Sequence, residues 1–357
     1  MTMSHASCKA PAADFDWEHL GFDSISVNGH IQSTWSARTQ KWSALELVGD
    51  PHVRLHGLSP GLNYGQQIFE GLKAFRSPNN ETYIFRPRAH AARFTQSAAV
   101  VAIPPVPEEL FLQAVSLAVR HNSEFVPPSH LANASLYIRP IAFAASPVLN
   151  LTRATEFTFC VFVMPVAAAQ KPRLDGANVL VVEDMDRASP KGTGHVKVGG
   201  NYAPMTAVIE KAHREGFDLT LHLDCTTHTL IDEFAASSFL GIRQTSGSVT
   251  LVVPTSPTIL KSITVDSLCR IAESWGWEIE RRPVPFDQLP LLDEVFAVGT
   301  AFILTPVKRI TRKSTATEIE YQVDYQDGNS AYRRLLEALR GIQSGRDEDQ
   351  WQWMQRV

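Results

Sequence analysis

The chain has 357 residues, of which 44% are hydrophobic and 20% are charged, and its formal net charge is -4 at pH 7. This composition is typical of a folded enzyme, and it excludes a disordered or fibrous chain and disfavours a nucleic-acid partner, since no basic run is present. No apolar stretch approaches the roughly 20 residues that a membrane-spanning helix requires.

The N-terminal residues 1–17 contain neither the apolar core of a signal peptide nor the arginines of a transit peptide. The four cysteines are far apart and lack the CxxC spacing of a zinc site or of a disulfide framework. We therefore expect a cytoplasmic protein without a metal site. At about 100 to 200 residues per domain, the length predicts two domains.

Strands and helices alternate in the first half of the chain. The hydrophobic periodicity predicts a strand at 82–87, a helix at 107–119 and strands at 135–144 and 156–166. The last of these strands is apolar on both faces, so we expect it in the middle of a sheet.

A stretch without periodicity follows at 165–178, with two prolines, a glycine and several small residues. This composition predicts a linker between domains. The linker would separate a small N-terminal α/β domain, 1–164, from a large C-terminal domain, 179–357.

The second half is richer in strands and lacks the strict alternation of a doubly wound sheet. The expected fold class is therefore α/β in the broad sense, closer to α+β. The predicted strands are 179–183, 219–224, 229–233, 238–242, 249–253 and 294–307, and the predicted helices are 205–216, 263–276 and 330–342.

The loop GTGHVKVGGNYAPM, at 192–205, surrounds Lys197 with four glycines. Its spacing fits neither a dinucleotide fingerprint nor a phosphate loop, and a plain surface loop remains one interpretation. A lysine that attacks a carbonyl must lose its proton near neutral pH, which requires burial or a cationic neighbour. The glycines would let the backbone close over a planar ring. Pyridoxal phosphate would also require a carboxylate, a hydroxyl and an anion site.

Six segments of the chain carry a family resemblance. They are YGQQIFEGLKAFR (64–76), YIFRPRAHAARFTQSA (83–98), SLYIRP (135–140), KVGGNYAP (197–204), ILKSITVDSL (259–268) and EVFAVGTAFILTPV (294–307). In this order they resemble the signature blocks of branched-chain amino-acid aminotransferases, the L-selective group of fold type IV pyridoxal-phosphate enzymes. The resemblance implies a smaller N-terminal α/β domain, a larger C-terminal pseudo-barrel domain that binds pyridoxal 5'-phosphate, and a homodimer.

The resemblance also implies roles for residues around the cofactor ring. Lys197 would form the Schiff base, Tyr202 would hydrogen-bond the phenolic oxygen, and Glu233 would face the ring nitrogen. A carboxylate there keeps the nitrogen protonated, which makes the ring an electron sink. Lys197 would then carry the proton between the substrate and cofactor carbons as general base and acid.

The cofactor phosphate is expected at the start of the helix 263–276. Ile263 and Thr264 would present backbone N–H groups there, because a helix N-terminus is a ready anion site. Arg93 and Thr300 match further phosphate donors of the family. Two plain interpretations stay open: Thr264 as an ordinary helix N-cap, and Arg93 as a solvated residue on its helix.

The substrate pocket is implied by the same resemblance, partly across a dimer interface. As bare residues, Phe69 and Tyr137 are more commonly core than site. Arg139 would help to hold the second carboxylate of 2-oxoglutarate. The expected pocket residues are Tyr64, Phe69, Tyr137 and Arg139, with the backbone N–H groups of Thr300 and Ala301 receiving the α-carboxylate.

The chain departs from the family at several positions near this pocket. Ala236 stands where a small polar residue is usual, Ser238 where asparagine is usual, and Asn63 where histidine is common. Phe302 and Thr305 occupy positions at which some members carry paired cysteines. These changes leave the choice of amino donor open.

The leading hypothesis is a transaminase that acts on the branched-chain L-amino acids leucine, isoleucine and valine with 2-oxoglutarate. Within the same fold, the alternative substrates are another apolar L-amino acid, a D-amino acid, an (R)-amine or aminodeoxychorismate. An enzyme that uses such a donor would act in a specialised pathway. A non-catalytic scaffold is the remaining alternative. Against it, every residue that would contact the cofactor is retained.

Overall fold

The computed structural model describes residues 8–23, 25–131, 133–167 and 175–357. These residues fold into two compact units. The first unit comprises the described residues before 168, together with Lys197–Gly199 and Arg340–Val357. The second unit comprises the described residues from 175 to 196 and Gly200–Leu339.

Eighteen strands and six α-helices lie in the described part of the chain. The strands are β1 His30–Ser36, β2 Lys41–Trp42, β3 Glu46–Val48, β4 Gln67–Phe69, β5 Leu72–Arg76, β6 Thr82–Phe85, β7 Ala134–Ala144, β8 Glu156–Ala167, β9 Ala177–Val182, β10 Leu219–Leu223, β11 Ile231–Phe234, β12 Ser238–Thr245, β13 Ser248–Pro254, β14 Glu278–Arg282, β15 Glu294–Gly299, β16 Ile303–Arg312, β17 Thr317–Glu320 and β18 Met354–Arg356. The helices are α1 Pro60–Asn63, α2 Pro87–Val100, α3 Glu108–His121, α4 Met205–Arg214, α5 Ile263–Ser274 and α6 Ala331–Ser344.

The predicted helices and strands are found with shifts of a few residues at their ends. Gly216 and Gly276, with φ of +87° and +78°, follow the ends of α4 and α5, where only glycine adopts a left-handed conformation without strain. The two segments predicted as strand within 294–307, EVFAVGT and AFILTPV, correspond to β15 and β16, which are joined by a turn at 300–302. Among the described helices, none has the length and apolar character needed to span a membrane.

The sheet of the first unit has the strand order β18-β6-β5-β7-β8-β1-β2, with β3 on β1 and β4 on β7. β8 lies between β7 and β1, which confirms the central position that its two apolar faces predicted. α2 and α3 pack on the sheet through Phe94, Phe111 and Phe159, whose ring centroids lie 5.3 to 6.1 Å apart. This cluster fixes the buried face of α2.

The sheet of the second unit closes on itself. Its order is β11-β10-β9-β16-β15-β12, and β12 pairs back with β11 at Glu233 and Ser238. β13 and β14 extend the sheet beyond β12, and β17 pairs with β16. The apolar core includes Leu221, Phe239 and Val295, all at most 2% exposed. The mixed α/β class and the barrel in the second half are confirmed.

The predicted domain boundaries differ from the observed units at two places. Residues 165–167 of the predicted linker belong to β8, where Pro165 pairs with Leu136. β1 pairs with β8 only up to Val161, so Pro165 lies where β8 has a described partner on one side, a position that tolerates the missing N–H. Residues 168–174 of the linker lie outside the described residues, and 177–178 begin β9.

The second difference concerns the C-terminus. The range 179–357 was predicted as one domain, but Arg340–Val357 packs in the first unit, because β18 pairs with β6. Pairing between strands so far apart in the sequence leaves no local pattern from which the boundary could be predicted.

Candidate active site

The backbone of Lys197 is fixed beside β4 in the first unit. Val198 forms a bridge with Ile68, and the Phe69 N–H donates to the Lys197 carbonyl at 3.0 Å. The Lys197 N–H donates to the Ser97 hydroxyl of α2, also at 3.0 Å. The interpretation of this segment as a plain surface loop is therefore wrong at Lys197, because its backbone N–H and carbonyl are both hydrogen-bonded within the first unit.

The amine of Lys197 is half-buried against an aromatic ring, with Nζ 4.6 Å from the centroid of Phe69. Desolvation is the main reason that the pKa of Lys197 is lowered to about 8; the charge of Glu70 opposes it, and the charges of Arg93 and Arg139 add to it. A substantial fraction of the amine is therefore neutral near pH 8. This meets the requirement for a lysine that attacks a carbonyl.

A fully buried carboxylate, Glu70, lies near this amine. The guanidinium of Arg93 donates to it through two nitrogens at 2.6 and 2.9 Å, and Nδ1 of His90 lies 2.8 Å from it. Burial alone would raise the pKa of Glu70, but Arg93 and His90 outweigh burial and hold it far below its ordinary range. Arg93 is only 8% exposed, so its interpretation as a solvated residue is wrong.

Glu70 was missed in the sequence, although it lies within the block 64–76. The available signal was on α2: His90, Arg93 and Ser97 follow the i, i+3, i+7 spacing of one helix face. All three are buried, which makes the inner face of α2 polar. A buried polar helix face requires hydrogen-bond and charge partners, and Glu70 supplies the negative charge that pairs with Arg93.

Three of the four predicted pocket side chains come together around Lys197. Tyr137 and Arg139 are two residues apart on β7 and share a face, and the Arg139 guanidinium donates to the Tyr137 hydroxyl at 3.2 Å. The same guanidinium lies 5.1 Å from the ring centroid of Phe69. A Cβ at Gly71 would lie 1.9 Å from the Tyr137 hydroxyl, so the position of this ring requires a glycine there.

Tyr64, the fourth predicted pocket residue, ends α1 and is 46% exposed. Leu62 beside it is 64% exposed, so this turn presents an apolar surface.

Glu233 is buried in the second unit, on β11 at the point where the barrel closes. Oε1 accepts from the Arg187 guanidinium at 2.5 Å and from the Leu260 N–H at 3.2 Å. Arg187 also donates to the Ala235 carbonyl at 3.1 Å and is 8% exposed. Arg187 was not predicted, because it is 46 residues from Glu233 in sequence.

Tyr202 lies half-buried in the same unit, with its ring centroid 6.0 Å from the Arg187 guanidinium. The loop before it is braced by Asn201, whose amide donates to the carbonyls of Thr193 and Val196 at 2.7 and 2.9 Å. Tyr202 and Glu233 therefore both have Arg187 as a neighbour.

Most of the glycines around Lys197 lie where the protein's own atoms leave no space for a Cβ, which the sequence analysis did not predict. A Cβ at Gly194 would lie 2.2 Å from Ala188, and one at Gly199 would lie 2.4 Å from Gln67. Only Gly200 would meet nothing within 4 Å among the described atoms. The interpretation that these glycines make room for a ring is thus restricted to Gly200.

The predicted phosphate helix begins at Ile263, as expected, with Ile263 and Thr264 both buried. Its N-cap is Ser262, whose hydroxyl accepts from the Val265 N–H at 3.2 Å. The alternative interpretation of Thr264 as the cap is therefore wrong. By helix geometry, the first N–H groups of α5 point away from the helix without a carbonyl partner inside it, and an anion is favoured at such a helix N-terminus.

Thr300 and Ala301 lie half-buried in the tight turn between β15 and β16. The turn ends at Ile303, which has φ of +61°. A β-branched residue in this region is strained by about 1–3 kcal/mol, and such strain persists only where the surroundings enforce it. Gly299 pairs with Ile303 directly, so the turn is held at both ends.

Comparison with known proteins shows similarity along nearly the whole chain. A family model described as amino-transferase class IV matches residues 67–310. The chain is 59% identical over 342 residues to the transaminase AMT5 of Alternaria alternata, covering 96% of this chain and 92% of that protein. It is 49% identical over 348 residues to the branched-chain amino acid aminotransferase gloG of Glarea lozoyensis, covering 97% of each. A solved T.th. branched-chain amino acid aminotransferase with pyridoxamine 5'-phosphate is 26% identical, with a TM-score of 0.71 and coverage of 93% of this chain and 99% of that one.

Proposed function

Since the chain belongs to the class IV aminotransferases, we propose that it exchanges the amino group between branched-chain L-amino acids and 2-oxoglutarate. The observation that carries this proposal is the amine of Lys197, with a pKa of about 8, beside Phe69, Tyr137 and Arg139. The aromatic rings suit an aliphatic side chain. The guanidinium suits the second carboxylate of 2-oxoglutarate.

The residues present fit pyridoxal 5'-phosphate, the cofactor that the family implies. The fit rests on the donor set: an amine of lowered pKa at Lys197, a buried carboxylate at Glu233 and a helix N-terminus at Ile263. When bound, the cofactor supplies an electron-withdrawing ring that accepts charge from the substrate α-carbon.

Each residue around the ring has a role that its surroundings support. Lys197 would hold the cofactor through Nζ and, once released, would move a proton at that atom, for which a pKa near the working pH is best. Glu233 would accept a hydrogen bond from the protonated ring nitrogen, and the Arg187 guanidinium, 2.5 Å from Oε1, favours the charged form of Glu233. Tyr202 would donate its hydroxyl to the phenolic oxygen.

We assign the anionic ends of the ligands to charged and backbone donors. The phosphate would be bound by the N–H groups of Ile263 and Thr264, by the Thr300 hydroxyl and by Arg93, which Glu70 holds in one orientation. The substrate α-carboxylate would be received by the backbone N–H groups at Thr300 and Ala301.

A homodimer is part of this proposal. The resemblance implies a pocket that lies partly across a dimer interface, and the expected pocket residue Tyr64 is 46% exposed, with Leu62 and Leu58 nearby at 64% and 47%. Apolar side chains clustered on a surface commonly mark an interface. The four cysteines are all free, which suits a reducing compartment such as the cytoplasm. Light scattering on the purified protein tests the dimer.

The experiment that tests the activity compares wild type with Lys197→Ala. We expect wild type to carry a visible absorbance that shifts on addition of L-leucine, and we expect Lys197→Ala to lose that response while remaining folded. Lys191→Ala, a change at an exposed lysine directly before this loop, is the control and should respond as wild type does. An unaltered shift in Lys197→Ala would refute the assignment.

A second candidate keeps the reaction and changes the donor to another apolar amino acid of a specialised pathway. Phe302 favours it: this side chain is 50% exposed on the turn that carries Thr300 and Ala301. A panel of amino donors with purified protein decides between the two. Preference for leucine, isoleucine or valine supports the first, and preference for a donor outside this group supports the second.

A further inference from the structure

His90 is a buried histidine of α2 to which the proposed function gives no role. Its Nδ1 lies 2.8 Å from Oε2 of Glu70, and both side chains are at most 2% exposed. Arg93, one turn further along the same helix, bonds both oxygens of this carboxylate. All three residues belong to the first unit. The carboxylate of Glu70 is therefore tied to α2 at two points.

The protonation state of His90 follows from its surroundings. Burial is the main reason that the pKa of His90 is lowered; Glu70 opposes it, and the charges of Arg93 and Lys197 add to it. The imidazole is therefore neutral near pH 7. The pKa of Glu70 is held far below its ordinary range, so this carboxylate is ionised and can only accept. Nδ1 of His90 must then carry the hydrogen, which fixes the tautomer.

The hydrogen bond from His90 bears on the orientation of Arg93. Nε and Nη2 of Arg93 donate to Oε1 and Oε2 of Glu70 at 2.6 and 2.9 Å. Because a guanidinium is planar, the position of the carboxylate fixes the direction in which the third nitrogen, Nη1, faces. His90 holds Oε2 from a second position on α2, and the Gly71 N–H donates to the same oxygen at 3.0 Å. Without His90, the paired side chains of Glu70 and Arg93 can turn together.

We propose that His90 is a positioning residue, which acts through Glu70 to hold Arg93 in the orientation that binds the cofactor phosphate. This role rests on the proposed function, in which Arg93 is a phosphate ligand. A neutral imidazole donates to Glu70 without adding a positive charge near Lys197, so it orients Arg93 and leaves the amine undisturbed. Loss of His90 should therefore weaken the hold on the phosphate and leave Lys197 able to capture an aldehyde.

Two aldehydes test this role: pyridoxal 5'-phosphate and pyridoxal, which lacks the phosphate. Apoenzyme of each variant is titrated with each aldehyde at one pH, and the visible absorbance gives the two dissociation constants. His90→Leu has a side chain of similar size without a donor. It should bind pyridoxal 5'-phosphate about tenfold more weakly, since a hydrogen bond to a charged group is lost. Its dissociation constant for pyridoxal should stay within about twofold of wild type.

His90→Asn separates hydrogen bonding from packing. The amide nitrogen of asparagine is as many bonds from Cβ as Nδ1 is, so it can donate to Glu70, although the side chain is smaller than histidine. If donation is the role, His90→Asn should bind pyridoxal 5'-phosphate more tightly than His90→Leu does. If His90 only fills space, leucine is the better replacement and the order is reversed. Gln96→Leu, at an exposed position of α2, is the control and should match wild type.

The outcomes distinguish this role from the proposed function. A wild type that takes up neither aldehyde refutes the proposed function, and the role of His90 with it. A wild type that takes up both, with His90→Leu unaffected or weakened equally toward both, overturns the role of His90 alone. Should His90→Leu fail to fold, the ratio of the two dissociation constants in His90→Asn decides: a ratio like that of wild type supports the role, and a ratio shifted against the phosphate overturns it.

Discussion

Lys197 lies among charges that act on its amine in opposite directions. Its pKa is lowered to about 8, mainly by desolvation; Glu70 acts to raise it, and Arg93 and Arg139 act to lower it. Glu70 therefore has two effects: it binds Arg93 and it holds Lys197 closer to its protonated form. Replacing Glu70 with glutamine keeps the volume of the side chain and removes its charge, so it tests these two effects without leaving a cavity.

The first prediction concerns Glu70→Gln. Without the carboxylate, the protonated form of Lys197 loses a favourable interaction, so its pKa should fall below about 8. The rate at which apoenzyme captures pyridoxal phosphate should then reach its midpoint at lower pH, measured by visible absorbance from about pH 6 to about pH 9. Glu109→Gln, at a side chain that is 85% exposed, should leave the midpoint in place. A midpoint that stays or rises in Glu70→Gln contradicts the argument.

The second prediction concerns the buried pair of Arg187 and Glu233. Arg187→Met leaves Glu233, 2% exposed, without its cation and should cost about 3–5 kcal/mol of unfolding free energy in urea. The double variant Arg187→Met with Glu233→Gln removes the stranded charge and should recover part of that loss. If the double variant is no more stable than the single one, the pair is not the reason for the loss.

At the scale of elements, the helices and strands that the sequence predicted are those whose buried residues follow a regular hydrophobic pattern. α3 and α5 bury apolar residues on one face, and β7 and β8 carry long apolar runs, so all four are found close to their predicted bounds. α2 was not predicted by periodicity, because His90, Arg93 and Ser97 make its buried face polar. The sequence analysis placed Arg93 on a helix but gave that helix no bounds.

The residues of the candidate site also fall into a predicted group and a group that was not predicted. Lys197, Phe69, Tyr137 and Arg139 were predicted and lie together. Glu70 and Arg187 were not predicted, because their partners Arg93 and Glu233 lie 23 and 46 positions away; the polar face of α2 signals that Arg93 needs a partner but does not identify Glu70. A partner of this kind is found only when the chain is folded.

The third prediction concerns the contact between β5 and β7 at Gly71. A methyl group there would lie 1.9 Å from the Tyr137 hydroxyl and 2.8 Å from its ring, so the ring must move. Because Arg139 bonds that hydroxyl, Gly71→Ala should raise KM for the amino donor, about tenfold if one hydrogen bond is lost, in steady-state kinetics. Gly57→Ala, where the methyl group meets nothing within 4 Å, is the control. An unchanged KM in Gly71→Ala would show that Tyr137 does not contact the substrate.

At the scale of the whole molecule, the C-terminus of the chain completes the sheet in which the chain begins. β18 pairs with β6, and the Arg86 N–H donates to the Trp353 carbonyl at 2.7 Å. Arg86 precedes α2 in a left-handed conformation, with φ of +49°, and its guanidinium lies 5.0 Å from the centroid of Trp353. Trp353 therefore holds the residue that precedes α2, the helix on which Arg93 and Ser97 lie.

The last prediction follows from this arrangement. Trp353 is 6% exposed and packs edge-on against Phe85 at 5.8 Å, so Trp353→Ala should destabilise the first unit by about 3–5 kcal/mol. Amide hydrogen exchange should accelerate along α2 and β6 and stay unchanged in the barrel strands β9 and β10, because opening is local to the unit that loses the contact. Trp351→Ala, at a neighbouring ring that is only half-buried, should have a smaller effect. Equal acceleration in both units would mean that the C-terminal strand stabilises the protein as a whole and not α2 in particular.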